Sequence, residues 1–224
     1  MPTLEQKKEY FNQYWQEQPE TKTDPRSHQR AEIVSRMLNA KSGKLLDFGC
    51  GRGVTLAHFA DKGYDVFGAE ISPEMVKKVR ESGYRIFEHD IESAELDDRY
   101  DIILCLEVLQ QLHDPVGALR KMKKALTTGG ELVVSVPNEF HLIARLRLII
   151  GLSHLGHFHH SHIRLFSSRR DRELFAESGL KITGRRYIPI IPPRWKILSA
   201  VFTPLAQWWP GLFAISSIYN LEDS

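Results

Sequence analysis

Three glycines at alternate positions, Gly49, Gly51 and Gly53, follow the short apolar run Lys44 to Phe48, and Asp47 stands just ahead of them. Glycines at a strand-to-helix turn let the backbone take positive φ and let a ligand approach main-chain atoms that a Cβ would block. A small ligand is expected there. A dinucleotide fingerprint needs Gly-x-Gly-x-x-Gly, whereas Val54 stands where that third glycine belongs, so the spacing argues against a pyrophosphate. An acid about 20 residues on, at the tip of the next strand, can accept hydrogen bonds from ribose hydroxyls. Glu70 stands there, closing the apolar run from Tyr64 to Ala69. Ile71, Ser72 and Pro73 then read as a helix start, with serine as N-cap and proline at the first helical position. A third strand ends in His89, Asp90 and Ile91; alone, such an aspartate is a turn former.

The elements that must carry these residues alternate. Strand patterns at 44–48, 65–69, 84–88, 101–106 and 131–136 are separated by helical patterns at about 55–62, 73–82 and 115–126. That is the rhythm of a parallel sheet covered by helices on both faces. The turn Thr127 to Gly130 is expected to end the third of these helices and feed the fifth strand. Further strands at about 181–188 and 213–220 make seven.

The Asp-x-Gly-x-Gly-x-Gly arrangement from Asp47 to Gly53 resembles motif I of class I S-adenosylmethionine-dependent methyltransferases, which hold the amino-acid end of the cofactor there. From about Lys44 to Leu221 the chain is similar to the MetW-type branch and, less closely, to ubiquinone-type O-methyltransferases. Gln110-Gln111, Ser135 to Asn138 with His141, and Pro210 to Ala214 opening the last strand carry the likeness to the first. Tyr10, Phe11, Tyr14 and Trp15 are more like the lid of acceptor-methylating relatives. The resemblance implies a Rossmann-like α/β fold, a seven-stranded mostly parallel sheet with an antiparallel edge hairpin strand. It divides the chain into an N-terminal helical lid, 1–43, and a methyltransferase domain, 44–224, with insertions at about 140–163 and 189–210. It implies S-adenosylmethionine as cofactor, held by Asp47, Gly49, Cys50, Gly51, Glu70, Ile71, Asp90, Ile91 and Leu106. Asp90 would accept from the adenine amino group, Ile91 would pack on the ring, and Leu106 with Glu107 would lie at the methyl end.

No residue declares itself as a general base. His113 is best placed, just after the fourth strand, but a histidine before Asp-Pro reads equally as a turn residue; Gln111 cannot take a proton. Position 106–109 reads Leu-Glu-Val-Leu rather than the Pro-Pro-aromatic motif of nucleobase amine methylation, and Cys105 reads as core, so a small-molecule acceptor is expected, free or linked to a lipid or glycan. The alternative is a MetW-like accessory that binds cofactor and contacts a methionine-biosynthesis acyltransferase.

Thirty basic against twenty-eight acidic side chains in 224 residues is too balanced for a nucleic-acid binder. A composition 42% apolar and 26% charged suits a globular domain. Two cysteines, one in the glycine turn and one in a central strand, a polar start and no spanning apolar run lead to the expectation of a cytoplasmic protein. His154, His157, His159, His160 and His162 invite a metal reading, but no cysteine or carboxylate completes a set, so loop or pocket-lining histidines are expected. His162 within His-Ile-Arg-Leu-Phe166 reads as capping a helix at about 168–178 or holding the loop, and Arg169 to Arg172 as that helix's solvated first turn. The stripe Trp195, Ile197, Leu198, Val201, Phe202, Leu205, Trp208 and Trp209 reads as a cover over core or pocket. For it and for Leu142 to Leu152 the alternative is peripheral contact with a membrane.

Overall fold

The computed structural model describes residues 2–18, 25–152, 162–192 and 194–223. Its centre is a seven-stranded sheet in the order β3-β2-β1-β4-β5-β7-β6. The strands are β1 (Lys44–Phe48), β2 (Asp65–Glu70), β3 (Arg85–Glu88), β4 (Tyr100–Leu106), β5 (Leu126–Pro137), β6 (Leu180–Pro189) and β7 (Ala214–Asp223). The first five are parallel, and β7 runs antiparallel between β5 and the edge strand β6. Strand order reverses between β1 and β4, where a crevice must open beyond the carboxyl ends.

Continuous apolar runs make β1 and β4 central: Leu45, Leu46, Ile102, Ile103 and Leu104 are fully buried, covered on both faces. The crossover helices are α3 (Val54–Ala60), which follows Gly53 without a side-chain cap, and α4 (Pro73–Glu81) and α5 (Pro115–Lys124), which start where their caps dictate. Ser72 Oγ accepts from Met75 N at 3.3 Å and Asp114 Oδ1 from Gly117 N at 2.9 Å, each followed by proline at the first turn. β5 is longer than expected. Leu126 pairs with Tyr100 ahead of a register shift, so Thr127 to Gly130 is an irregular stretch inside the strand, with Gly129 at φ 78°.

Two helices precede the sheet, α1 (Leu4–Glu17) and α2 (Pro25–Met37). Val34 and Leu38 pack among Leu45, Ile102, Leu104, Ile188 and Ile218, so α2 contributes to the core. A buried carboxylate fastens it: Glu131 of β5 accepts from Asn39 N, Ala40 N and Asn39 Nδ2 at 2.9–3.1 Å and from Asn220 Nδ2 of β7 at 2.8 Å. α1 buries no residue completely.

The remaining α-helices among the described residues are α6 (Leu142–Ile149), α7 (Ser168–Glu177), α8 (Lys196–Trp208) and α9 (Pro210–Phe213). Pro210 to Phe213 make a single helical turn ahead of β7 rather than opening the strand, since proline at the first position favours helical φ. α7 is capped by Ser167, not by His162. Within its first turn Asp171 is buried and accepts from Tyr219 Oη at 2.7 Å, so only the arginines there are solvated.

Replacing Glu131 leaves buried backbone and amide donors unpaired. Glu131→Ala is therefore expected to lower unfolding free energy by about 2–4 kcal/mol in urea titrations; a change within about 0.5 kcal/mol, the range of ordinary surface substitutions, would show that the anchor is dispensable.

Candidate functional site

At the switch between β1 and β4, Gly49, Gly51 and Gly53 take φ of 72°, 50° and 76°. The turn is drawn onto β2 by Gly49 N donating to Ala69 O at 2.8 Å, and by Glu70 Oε2 accepting from Gly51 N at 3.0 Å. Glu70 Oε1 accepts from Ile71 N at 2.9 Å and Ser72 N at 3.0 Å. A Cβ on Gly51 would lie 2.7 Å from the Trp15 ring, and one on Gly49 2.4 Å from Val108. Both positions thus need glycine for space as well as for φ.

The electrostatics are unequal along this turn. Burial raises Glu70, while its three backbone donors pull it back. Asp47 receives no hydrogen bond from any described residue, and burial, with Glu70 adding to it and Arg30 opposing, pushes it up to about 8. Burial likewise raises the Cys50 thiol, and both cysteines are free. Across the crevice, Arg30 of α2 presents a buried Nε with no partner among the described residues, and its Nη2 lies 3.4 Å from Glu107 Oε1. Glu107 has φ 60°, alone among the described non-glycine residues in being positive. Ser135 Oγ and Ser216 Oγ donate to its Oε1 at 2.9 and 2.6 Å, so β5 and β7 hold this strained residue toward the crevice.

α1 forms the opposite wall. Lys7 Nζ bridges Asp90 at 2.9 Å and Glu92 at 2.8 Å, Lys8 reaches Glu88 at 2.6 Å, and Asn12 and Gln16 bond to Ser72 and Glu74 at the start of α4. Between these tethers Tyr10, Phe11, Tyr14 and Trp15 line the cavity, and the Arg52 guanidinium sits 5.5 Å from the Trp15 ring centre.

The cavity measures about 940 Å³, at the upper end of small-molecule sites. Asp47, Gly49, Cys50, Gly51, Glu70, Ile71, Asp90, Ile91, Leu106 and Glu107 all line it. His113 lies at its Asp90 end, with Nδ1 3.6 Å from Glu92. His162 lies near Glu107: its Nδ1 is 2.9 Å from Glu139 Oε1, both side chains are buried, and Nε2 is 3.4 Å from Gln110 Nε2. A carboxylate only accepts, so Nδ1 carries the proton and Nε2 the lone pair. For His162 pocket lining is one of the two readings that the sequence offers, whereas Glu139, Lys7 and Arg30 carry no site signal there. Arg30 shares the helical face of Val34 and Leu38, a spacing that would have placed it inward. Among the described residues no cluster suits a metal, and His154, His157, His159 and His160 lie outside them.

Asp47 supplies a test in the absence of ligand. Its folded value is above the roughly 3.9 of an unfolded chain, so stability is greatest below that pH and is lost as pH rises toward about 8. Asp47→Asn removes the cost. By calorimetry its melting midpoint should match wild type near pH 4 and exceed it by about 2–4 °C or more at pH 8.5, as for 1 kcal/mol or above; a gap that does not grow with pH would contradict the assignment.

The sequence matches the methyltransferase-domain family over residues 23–184, most of the chain. It is 33% identical over 117 residues to a ubiquinone biosynthesis O-methyltransferase of Xanthomonas euvesicatoria, covering 49% of each chain. The Xylella fastidiosa protein of the same name is 30% identical over 134 residues, covering 56% of this chain and 54% of its own. The chain spans about half the length of the curated relatives it matches. Among solved structures, the magnesium protoporphyrin IX methyltransferase of Synechocystis, crystallised with S-adenosylhomocysteine, superposes with a TM-score of 0.65 over 97% of this chain and 98% of that one at 17% identity. An S-adenosylmethionine-dependent methyltransferase of Mesorhizobium loti gives 0.64 over 85% and 95%, also at 17%. This chain belongs to the methyltransferase-domain family, within the class I S-adenosylmethionine-dependent superfamily.

Proposed function

We propose that the protein transfers a methyl group from S-adenosylmethionine to a small-molecule acceptor, with His162 as general base and α1 as the lid. The observation that carries this reading is the oriented His162–Glu139 pair opening into the same cavity as the glycine turn and its carboxylates.

The residues present fit the cofactor. Asp47 is a buried carboxylate short of a cationic partner, which the amino-acid ammonium would supply; Arg30 has an orphaned Nε suited to the neighbouring carboxylate. Gly49, Cys50 and Gly51 give close backbone approach there. Glu70 keeps lone-pair capacity for ribose beyond its three backbone donors. Asp90 and the apolar Ile91 would take the adenine, and Leu106 with Glu107 would face the methyl end. Bound, S-adenosylmethionine supplies an activated methyl group on a positively charged sulfur.

The chain's own task is then to position the acceptor and manage one proton. Cavity walls that fix an acceptor atom in line with the methyl end supply much of the rate. His162 Nε2 takes the acceptor's proton, and Glu139 holds the ring's tautomer and offsets the imidazolium charge. His113 instead has its Nδ1 3.6 Å from Glu92, beside the aspartate that would take the adenine. Lys7 ties α1 to Asp90, so closing the wall and seating the adenine share one carboxylate.

The test is transfer of isotopically labelled methyl groups into a mixture of small molecules and extracted lipids, read by mass spectrometry. Wild type should label at least one compound. His162→Ala should lower kcat about 10²–10⁴-fold and remove the acid limb of the pH–rate profile, while S-adenosylhomocysteine affinity stays within about twofold. Undiminished transfer by His162→Ala would remove the base assignment. No labelled product from a wild type that binds cofactor would remove the enzyme reading.

A further inference from the structure

Beside the acceptor end of the cavity the surface is unusually apolar. Ile149 of α6 is 79% exposed, Ile197 of α8 85% and Trp208 79%. Single exposed hydrophobic residues are ordinary, but contiguous patches of them mark an interaction surface. The helices that carry them adjoin: α8 packs on β6 and α9, α9 touches α6, and Arg145 Nη2 lies 3.5 Å from Gly211 O. The arrangement is built. Ala206 is buried against Tyr187 and Ala214, and Gln207 Nε2 donates to Tyr187 O at 2.9 Å, which turns Ile197, Val201 and Trp208 outward on one stripe of α8.

Charge selects the occupant. No aspartate or glutamate occurs between Glu139 and Asp171 or between Glu177 and Glu222, whereas Arg145, Arg147, Arg194 and Lys196 flank the apolar residues. Trp195 stands at the start of α8 and Trp208 with Trp209 at its end, where amphipathic rings suit a bilayer interface. At 1.5 Å per residue the thirteen residues of α8 span about 20 Å, and no described helix is long and apolar enough to cross a membrane. An apolar, purely basic face carried on short helices fits in-plane contact with anionic lipid.

The geometry points to a membrane-docking face: we propose that α6, α8 and α9 seat on an anionic bilayer and hold the mouth of the cavity there. Asn138, Glu139 and His141, at the root of α6, line that cavity, and Asn138 Nδ2 bonds to Ala214 O at 2.8 Å just after α9. The acceptor is accordingly an amphiphile taken from the lipid surface. This last clause rests on the methyltransferase reading; the docking face does not.

The full chain is sedimented with phosphatidylcholine vesicles and with vesicles of phosphatidylcholine and phosphatidylglycerol in equal parts. The mixed vesicles should bind at least tenfold more tightly, and added salt should weaken that binding. Ile197→Glu/Trp208→Glu and, separately, Arg194→Glu/Lys196→Glu should each lose tenfold or more, with melting midpoint and S-adenosylhomocysteine affinity unchanged. Absence of vesicle binding, or equal binding by the variants, would overturn the face as a lipid surface. So would a dimer in light scattering that Ile197→Glu/Trp208→Glu converts to monomer without any vesicle binding, which would assign the face to a second copy. Vesicle binding with methyl transfer confined to water-soluble acceptors would overturn only the amphiphile clause. Loss of cofactor binding in wild type would instead strike the methyltransferase reading.

Discussion

Two carboxylates buried side by side at the ends of adjacent strands set the terms for everything around them. Asp47 and Glu70 are both almost inaccessible, and like charges in such a place are costly. Glu70 is offset locally, by three backbone N–H groups, one from the glycine turn at Gly51 and two from Ile71 and Ser72, which follow it in the chain. Asp47 is not, and burial holds it largely protonated at neutral pH. The turn, the N-terminal helices and the strained Glu107 can all be understood as fixed around a position that a cationic ligand would complete.

Polar tethers complete the fixing of α2, which Val34 and Leu38 already pack into the core, and supply most of it for α1. Glu131 binds the end of α2 to the sheet and so places Arg30 opposite Asp47. Lys7, Lys8, Asn12 and Gln16 lay α1 across the ends of β2 and β3 and the start of α4, although that helix has no fully buried residue of its own. Such a wall is held by a few ion pairs and one aromatic contact at Gly51, a construction compatible with opening for ligand exchange.

What could be read in the chain was what is local in sequence. The glycine turn, Glu70 about twenty residues on, the Ser72 cap and the apolar parallel strands are each contained within a short window, and together they predict the sheet and the glycine-turn wall of the cavity. The acceptor side is not local. Glu139 and His162 stand 23 residues apart in sequence, beyond the reach of any local pattern, and are paired only in the fold. Lys7 comes from a helix docked by tertiary ion pairs, and Arg30 from one docked by its core residues Val34 and Leu38 and by Glu131. Asp171 was read as solvated because its neighbours are arginines; its own position on α7 faces the core, where Tyr219 satisfies it. For Pro210 to Phe213 the family resemblance points to the opening of a strand, and a short apolar run does not by itself distinguish that from a helical turn.

The most direct measurement is calorimetric titration of the intact protein with S-adenosylhomocysteine at pH 7 in two buffers of different ionisation enthalpy. If a protonated Asp47 must ionise to receive the ligand's ammonium, binding should release close to one proton, and Asp47→Asn should bind more weakly with almost no release. Absence of binding, or equal proton release by wild type and Asp47→Asn, would contradict the account.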